Sequence, residues 1–237
     1  MNEDLLNRDK APELRAQQAR LPVVLVHGIW NTAGIFSVLQ AYLEQQGWPV
    51  YGLSMTPNNG DASLESLAEQ VASFIDRSLG AHQSFDLIGF SMGGLISRYY
   101  VQRLGGLTRV RRFITLSTPH QGTLLAALSH RYGIRQMRPN SPFLKSLNQD
   151  IYQLKQLQFF SLWTPFDLLI LPPWSSNLSH WGIGESHRLL IATHDQMIQD
   201  PAGLSAIATC LCQDSAHQSR PPARPPARPP ARPPANG

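Results

Sequence analysis

Six short runs of Val, Ile, Leu and Phe recur along this chain, at residues 23–26, 50–53, 85–90, 111–117, 158–163 and 188–193. None alternates cleanly between apolar and polar residues. A strand with one wet face must alternate, so these runs predict strands covered on both faces, as in a parallel sheet between helical layers. Helical patterns fall between the runs. In 63–79, Leu64, Leu67, Val71, Phe74 and Ile75 share one face, and Ser63 stands ahead as a cap. Residues 93–104 and 201–211 are further helices. Alternation of strand and helix implies an α/β fold with right-handed crossovers. A small helical insert, 122–157, follows the fourth strand.

The third run ends in Gly89-Phe90-Ser91-Met92-Gly93, and a helical pattern, Leu95 to Val101, follows at once. A strand that turns sharply into a helix through Gly-x-Ser-x-Gly lifts the serine Oγ above the sheet edge. The two glycines remove side chains that would collide in so tight a turn. The helix that starts after Ser91 points its first amides toward developing negative charge. These features make Ser91 the candidate nucleophile.

His27-Gly28-Ile29-Trp30 follows the first run directly. In this arrangement the loop after that strand supplies one oxyanion amide and the residue after the nucleophile supplies the other. Ile29 and Met92 are therefore the expected donors. His27 reads as a structural histidine that fixes the loop. Trp30 is either a substrate-binding wall or a packed core indole.

Together these segments resemble the small bacterial lipases and lipase-like deacylases of the α/β-hydrolase superfamily. Four stretches carry the resemblance: Pro22 to Gly28, Leu87 to Leu95, Thr115 to Thr123 with its Thr-Pro-His-x-Gly, and Met137 to Leu144. It covers roughly residues 20–212. It implies an α/β-hydrolase fold and a serine hydrolase that cleaves carboxylic esters, with the triad order Ser, Asp or Glu, then His. Asp167 lies just past the fifth run, in a loop of the kind where such lipases place the acid. His194 follows the sixth run and would open a loop on the same sheet edge as Ser91. His187 precedes that run and would lie at the opposite edge. His120 reads as structural.

The segment Leu168-Leu169-Ile170-Leu171-Pro172-Pro173-Trp174 either packs under the insert or, if exposed, forms an acyl-binding lip or meets a lipid surface. An ester with an apolar acyl chain is the expected substrate, and no cofactor or metal signature is visible. Acyl transfer or thioester hydrolysis on the same triad, and a non-catalytic binding protein on this scaffold, remain open readings.

The formal net charge of +4 sits in one place. From Arg220 the chain cycles Arg-Pro-Pro-Ala four times, and without Arg220, Arg224, Arg228 and Arg232 there are 16 basic against 16 acidic side chains. The body therefore offers no electrostatic case for nucleic acid. Residues 213–237 are expected to be a disordered tail, either simply solvated or a ligand for an anionic surface or a proline-recognition module. Residues 1–20 read as a polar arm and 21–212 as the folded domain. The polar, acidic N-terminus lacks the pattern of a secretory signal, so a cytoplasmic protein, peripheral at most to membranes, is expected. Cys210 and Cys212, two apart on a helix, should not bond each other.

Overall fold

The computed structural model describes residues 20–213. The proposed N-terminal arm and the Arg-Pro-Pro-Ala segment lie outside them, apart from Arg20 and Gln213.

Six strands form one parallel sheet in the order β2-β1-β3-β4-β5-β6. They are β1 (Val23–Val26), β2 (Val50–Leu53), β3 (Phe85–Phe90), β4 (Val110–Leu116), β5 (Gln158–Trp163) and β6 (Glu185–Arg188). Every residue of β1 and β3 is buried. Successive side chains of β1 enter opposite layers: Val24 and Val26 join one cluster, Val23 and Leu25 the other. A strand with two dry faces gains nothing from polar residues, which is why these runs do not alternate. Each fully buried Leu or Val contributes about 1.5–3 kcal/mol.

Helices α2 (Leu64–Leu79) and α3 (Met92–Arg103) cover the first face. The Ser63 Oγ accepts the Ser66 N–H at 3.1 Å, and Leu64, Leu67, Ala68, Val71 and Ile75 are buried. Such a cap stabilises a helix by about 1 kcal/mol. Helices α1 (Ser37–Gln45) and α6 (Pro201–Cys212) cover the second face. The insert after β4 holds a turn at Leu124–Leu128 and two helices, α4 (Tyr132–Gln136) and α5 (Pro142–Gln149). Cys210 is buried and Cys212 exposed, both as free thiols.

One strand differs from its expected place. The run 188–193 forms a strand only at Arg188; β6 is the polar stretch Glu185–Arg188, in register with Phe160 to Trp163. Pairing at a sheet edge needs backbone on one side only, so side chains there can face water. Of the apolar residues that follow, Ile191 is buried in the second-face cluster and Leu190 is exposed. His187 therefore lies within the edge strand, beside Leu162, where its Nε2 is 3.3 Å from a Glu185 oxygen. His194 is reached through a short loop, not straight off a strand.

Candidate active site

Ser91 follows the last residue of β3 and caps the N-terminus of α3. Its φ is +54° and its ψ −124°, a conformation that costs a non-glycine residue about 1–3 kcal/mol. The surroundings hold it there. Its N–H donates to Leu116 O at 2.8 Å, and its carbonyl accepts the Gly94 N–H at 3.0 Å.

Three glycines let α3 press onto the strand ends. A Cβ at Gly89 would lie 2.6 Å from Gly94 Cα, and one at Gly93 would lie 2.2 Å from Val26 O. One at Gly94 would meet the Thr118 Oγ1, so Gly94 is as necessary as the two glycines of the pentapeptide. The Thr118-Pro119-His120 loop thus sits against the start of the nucleophile helix, a contact that the sequence did not announce.

The loop after β1 lies directly across from Ser91: a Cβ on Gly28 would be 3.0 Å from Ser91 Cβ and 3.5 Å from its Oγ. Next to it, Trp30 also has a positive φ, of 56°, and its N–H donates to Asn58 O at 2.7 Å. Its indole is 67% exposed, which rules out the packed-core alternative. The Ile29 side chain packs toward Gly60 and the core under the insert, leaving only its backbone for the site. The Met92 amide opens α3 and has no carbonyl one turn behind it within the helix.

His27 is fully buried, with both ring nitrogens engaged. Nδ1–H donates to Gly28 O at 2.7 Å and Nε2 accepts the Met55 N–H at 2.9 Å. Burial lowers its pKa, partly offset by the bond to Gly28. The ring is a neutral strut between the first two strand ends.

His120 is another strut. Its Nε2–H donates to the Thr115 Oγ1 at 3.0 Å, and its Nδ1 lies 3.5 Å from Arg98 Nη1. Burial and the neighbouring guanidinium push its pKa well down. Arg98, wholly buried in α3, also donates to Gln102, Leu147 O and Asn148. Burial pulls its pKa to about 9. This network ties the nucleophile helix to α5.

Asp167 and His194 meet as a pair. The His194 Nδ1 lies 2.7 Å from the Asp167 Oδ2, with His194 6% and Asp167 2% exposed. The other carboxylate oxygen, Oδ1, accepts the N–H groups of Leu169 at 2.9 Å and Ile170 at 3.0 Å. Burial raises the Asp167 pKa, but the bonds from His194 and the two amides outweigh it and hold the carboxyl below its ordinary value. Thr164 joins the two loops: its hydroxyl donates to Ile191 O and accepts the Phe166 N–H. The short 195–198 turn after His194 rests on α6, where a Cβ at Gly203 would strike Met197 O. Asp200 caps α6 by accepting the Ala202 N–H at 2.8 Å. The His194 ring packs against Phe90, centroids 4.8 Å apart, and Phe90 immediately precedes Ser91. Of the two ring nitrogens of His194, only Nδ1 makes a hydrogen bond among the described residues.

The fold therefore brings Ser91, His194, Asp167 and the loop of Ile29 to one end of the sheet, and leaves His187 and Asp150 elsewhere. Asp150 pairs with Arg103 at 2.7 Å. Thr164, Thr118 and Arg98 were not singled out by sequence, because nothing local marks a side chain whose partner is a distant loop.

Comparison with known proteins bears on what this arrangement is. Residues 22–154 match the family described as palmitoyl protein thioesterase. Over 109 residues the chain is 30% identical to palmitoyl-protein thioesterase 3 of Dictyostelium discoideum, covering 44% of this chain and 37% of that protein. Over 115 residues it is 32% identical to a triacylglycerol lipase of Pseudarthrobacter phenanthrenivorans, covering 45% of this chain and 35% of that protein. The chain thus spans about a third of the length of these curated relatives. Among solved structures, Aspergillus fumigatus lipase B superposes with a TM-score of 0.71 at 20% identity, over 84% of this chain and 54% of that one. Bacillus licheniformis lipase BlEst2 in its mature form superposes with a TM-score of 0.62 at 17% identity, over 82% of this chain and 93% of that one. At such identities the superpositions speak for the fold alone, and that fold is the α/β-hydrolase fold. The match over more than half of its length shows that this chain belongs to the palmitoyl protein thioesterase family, a lipase-like branch of the α/β-hydrolases.

Proposed function

We propose that this protein hydrolyses esters of apolar acyl chains through a Ser91–His194–Asp167 triad and an acyl-enzyme. The observation that carries the reading is the buried Asp167–His194 pair, 2.7 Å long, with the imidazole packed on Phe90 beside Ser91. Asp167 accepts the Nδ1 proton of His194 and so leaves Nε2 as the basic nitrogen. That nitrogen takes the proton of the Ser91 hydroxyl as Oγ attacks the acyl carbonyl. The carbonyl oxygen gains negative charge, which the Ile29 and Met92 amides bind. Collapse of the tetrahedral intermediate transfers the proton from His194 to the leaving alkoxide. Water, activated by the same imidazole, then releases the acid and restores Ser91. Trp30, exposed beside this loop, borders the acyl group.

A thioester substrate is the second reading, favoured by the family match and by the Dictyostelium relative. Both leaving groups suit the same triad, so the substrate series must include both. The test is labelling by a fluorophosphonate probe, followed by turnover of p-nitrophenyl esters from acetate to palmitate and of an S-palmitoyl peptide. Labelling lost in Ser91→Ala, with turnover of at least one series, is expected. Probe labelling that persists in Ser91→Ala would reject Ser91 as the nucleophile. If the peptide is cleaved far faster than the esters, the thioester reading replaces the oxyester one.

A further inference from the structure

The face around the acid loop carries two properties that the neutral sum of the body conceals. The first is exposed hydrocarbon. Leu124 N donates to Leu171 O at 2.8 Å, Thr123 Oγ1 donates to Leu169 O at 3.0 Å, and Leu171 N donates back to that hydroxyl at 2.9 Å. These bonds clamp the Leu124–Leu128 turn to the 168–171 stretch. Across that seam Leu128 is 81%, Leu168 77% and Leu124 60% exposed. Trp174, on the same stretch, is 63% exposed. Bonded backbone on both sides means that these side chains are held outward. Apolar groups gathered in this way mark an interaction surface.

The second property is charge. Residues 87–149 contain no Asp or Glu and nine Lys or Arg. Four of those nine belong to the insert: Arg131, Arg135, Arg138 and Lys145. Arg131 is matched by Asp61 at 2.7 Å. Arg138 donates to Ala126 O and Ser129 O, so its charge sits beneath the leucine turn opposite carbonyls only. Arg135 and Lys145 are exposed and have no carboxylate partner among the described residues. Arg135 is on α4, which packs against the leucine turn. Lys145 shares a groove of about 680 Å³ with Leu124, Pro172 and Trp174. Asp167 is buried on His194, Asp150 is held by Arg103, and Glu65, whose carboxylate reaches α4, accepts the Gln136 amide.

We propose that this face seats the protein on an anionic lipid bilayer. The leucines and Trp174 enter the boundary between headgroups and acyl chains, and Arg135 and Lys145 face lipid phosphates. An acidic protein would satisfy the cations but leave the protruding aliphatic groups in water, whereas a bilayer surface takes both. The acid loop lies at the edge of this face, so the seated molecule holds its site toward lipid-borne acyl groups. The inference borrows only that orientation from the proposed hydrolysis, and binding alone tests it.

The experiment is co-sedimentation of the full chain with phosphatidylcholine vesicles, with and without phosphatidylglycerol. Every protein compared retains residues 214–237, so the arginines there contribute equally. Leu124→Asp/Leu128→Asp/Leu168→Asp should lower partitioning at least tenfold. Arg135→Glu/Lys145→Glu should remove at least threefold of the preference for phosphatidylglycerol. Val38→Asp, exposed on α1 in the other layer, should change neither. Ser91→Ala should bind as the parent does, which separates loss of docking from loss of hydrolysis. In the unmodified chain, vesicles should shift tryptophan emission to the blue, and Trp174→Phe should abolish most of that shift. This second measurement stands even if the triple variant fails to fold. Unchanged partitioning of a folded triple variant, equal loss in Val38→Asp, or no emission shift would each overturn the proposal.

Discussion

His27 and His194 are both buried, both stand in loops at the same end of the sheet, and both lie near Ser91. They differ in what remains of the ring. In His27 the protein uses both nitrogens, one on Gly28 O and one on the Met55 amide. In His194 it uses one, and a carboxylate stands behind that one. Burial and nearness to a nucleophile therefore do not make a base. A base needs an unspent nitrogen and a partner that stabilises the charge it will acquire. His120, bonded to Thr115 and facing Arg98, falls on the structural side of this line.

The widest separation should come from substitution. Ser91→Ala should lower turnover by about 10⁴-fold or more while leaving the thermal midpoint nearly unchanged. His194→Ala should lose as much turnover but also some stability, because the buried Asp167 carboxylate loses its partner. Asp167→Asn should fall almost as far, since an amide cannot stabilise the imidazolium. His27→Ala should do the reverse. It should cost about 1–3 kcal/mol of stability, because the Met55 N–H and Gly28 O lose their partners. Turnover by the remaining folded protein should change by less than about tenfold. Parallel steady-state kinetics and denaturant melts read both quantities. A folded, stable His27→Ala with no turnover would break the comparison.

A second pair of variants sharpens the account of the nucleophile turn. Gly94→Ala places a methyl against the Thr118 Oγ1, and removal of that hydroxyl leaves Thr118 Cβ still only 2.8 Å away. Overpacking of this kind costs about 1–3 kcal/mol or more, and chemical denaturation should show it. Gly47→Ala has a positive φ of 87° but nothing within 4 Å of the new Cβ, so about 1 kcal/mol is expected there. Equal losses at the two sites would mean that the Thr118 loop yields easily.

The smallest effect is on pH. His27 and His120 have pKa values lowered by burial from 6.5. The unfolded chain therefore binds protons below about pH 6.5 that the folded chain refuses. Stability is full above that pH and falls as pH drops, by at most about 1.4 kcal/mol per pH unit for each ring. Asp86 opposes this. Burial raises its pKa from 3.8 to about 6, against the pull of Arg112. Between those values the folded state binds the extra proton, so stability rises as pH falls. Asp86→Asn should therefore steepen the loss between pH 6 and 4, and His120→Gln should flatten it. Thermal melts across that range test both signs, and parallel curves for all three proteins would contradict them.

Much of this molecule is legible in its sequence where the cause is local. Five of the six strands fall at their apolar runs, to within a residue, because a strand buried on both faces must be apolar throughout. The Ser91 turn is written in five consecutive residues, because the helix packs so closely on the strand ends that a Cβ at Gly89 or Gly93 would strike backbone. The sixth strand was misplaced because an edge strand is chosen by backbone pairing, and Glu185–Arg188 offers no apolar signal for that.

What only the tertiary structure decided is which separate loops meet. Sequence order made Asp167 and His194 candidates; the packing of the 195–198 turn on α6 and the bond from Thr164 to Ile191 O bring Nδ1 within 2.7 Å of Oδ2. The same holds for the outward leucines. The run 168–171 is equally apolar at every position, yet Ile170 is buried while Leu168 and Leu169 are exposed, and the bonds of its backbone to Thr123 and Leu124 fix which side chains turn outward. Sterics and chirality act between neighbours and can be read along the chain, whereas contacts between loops far apart in sequence depend on the summed packing of everything between them.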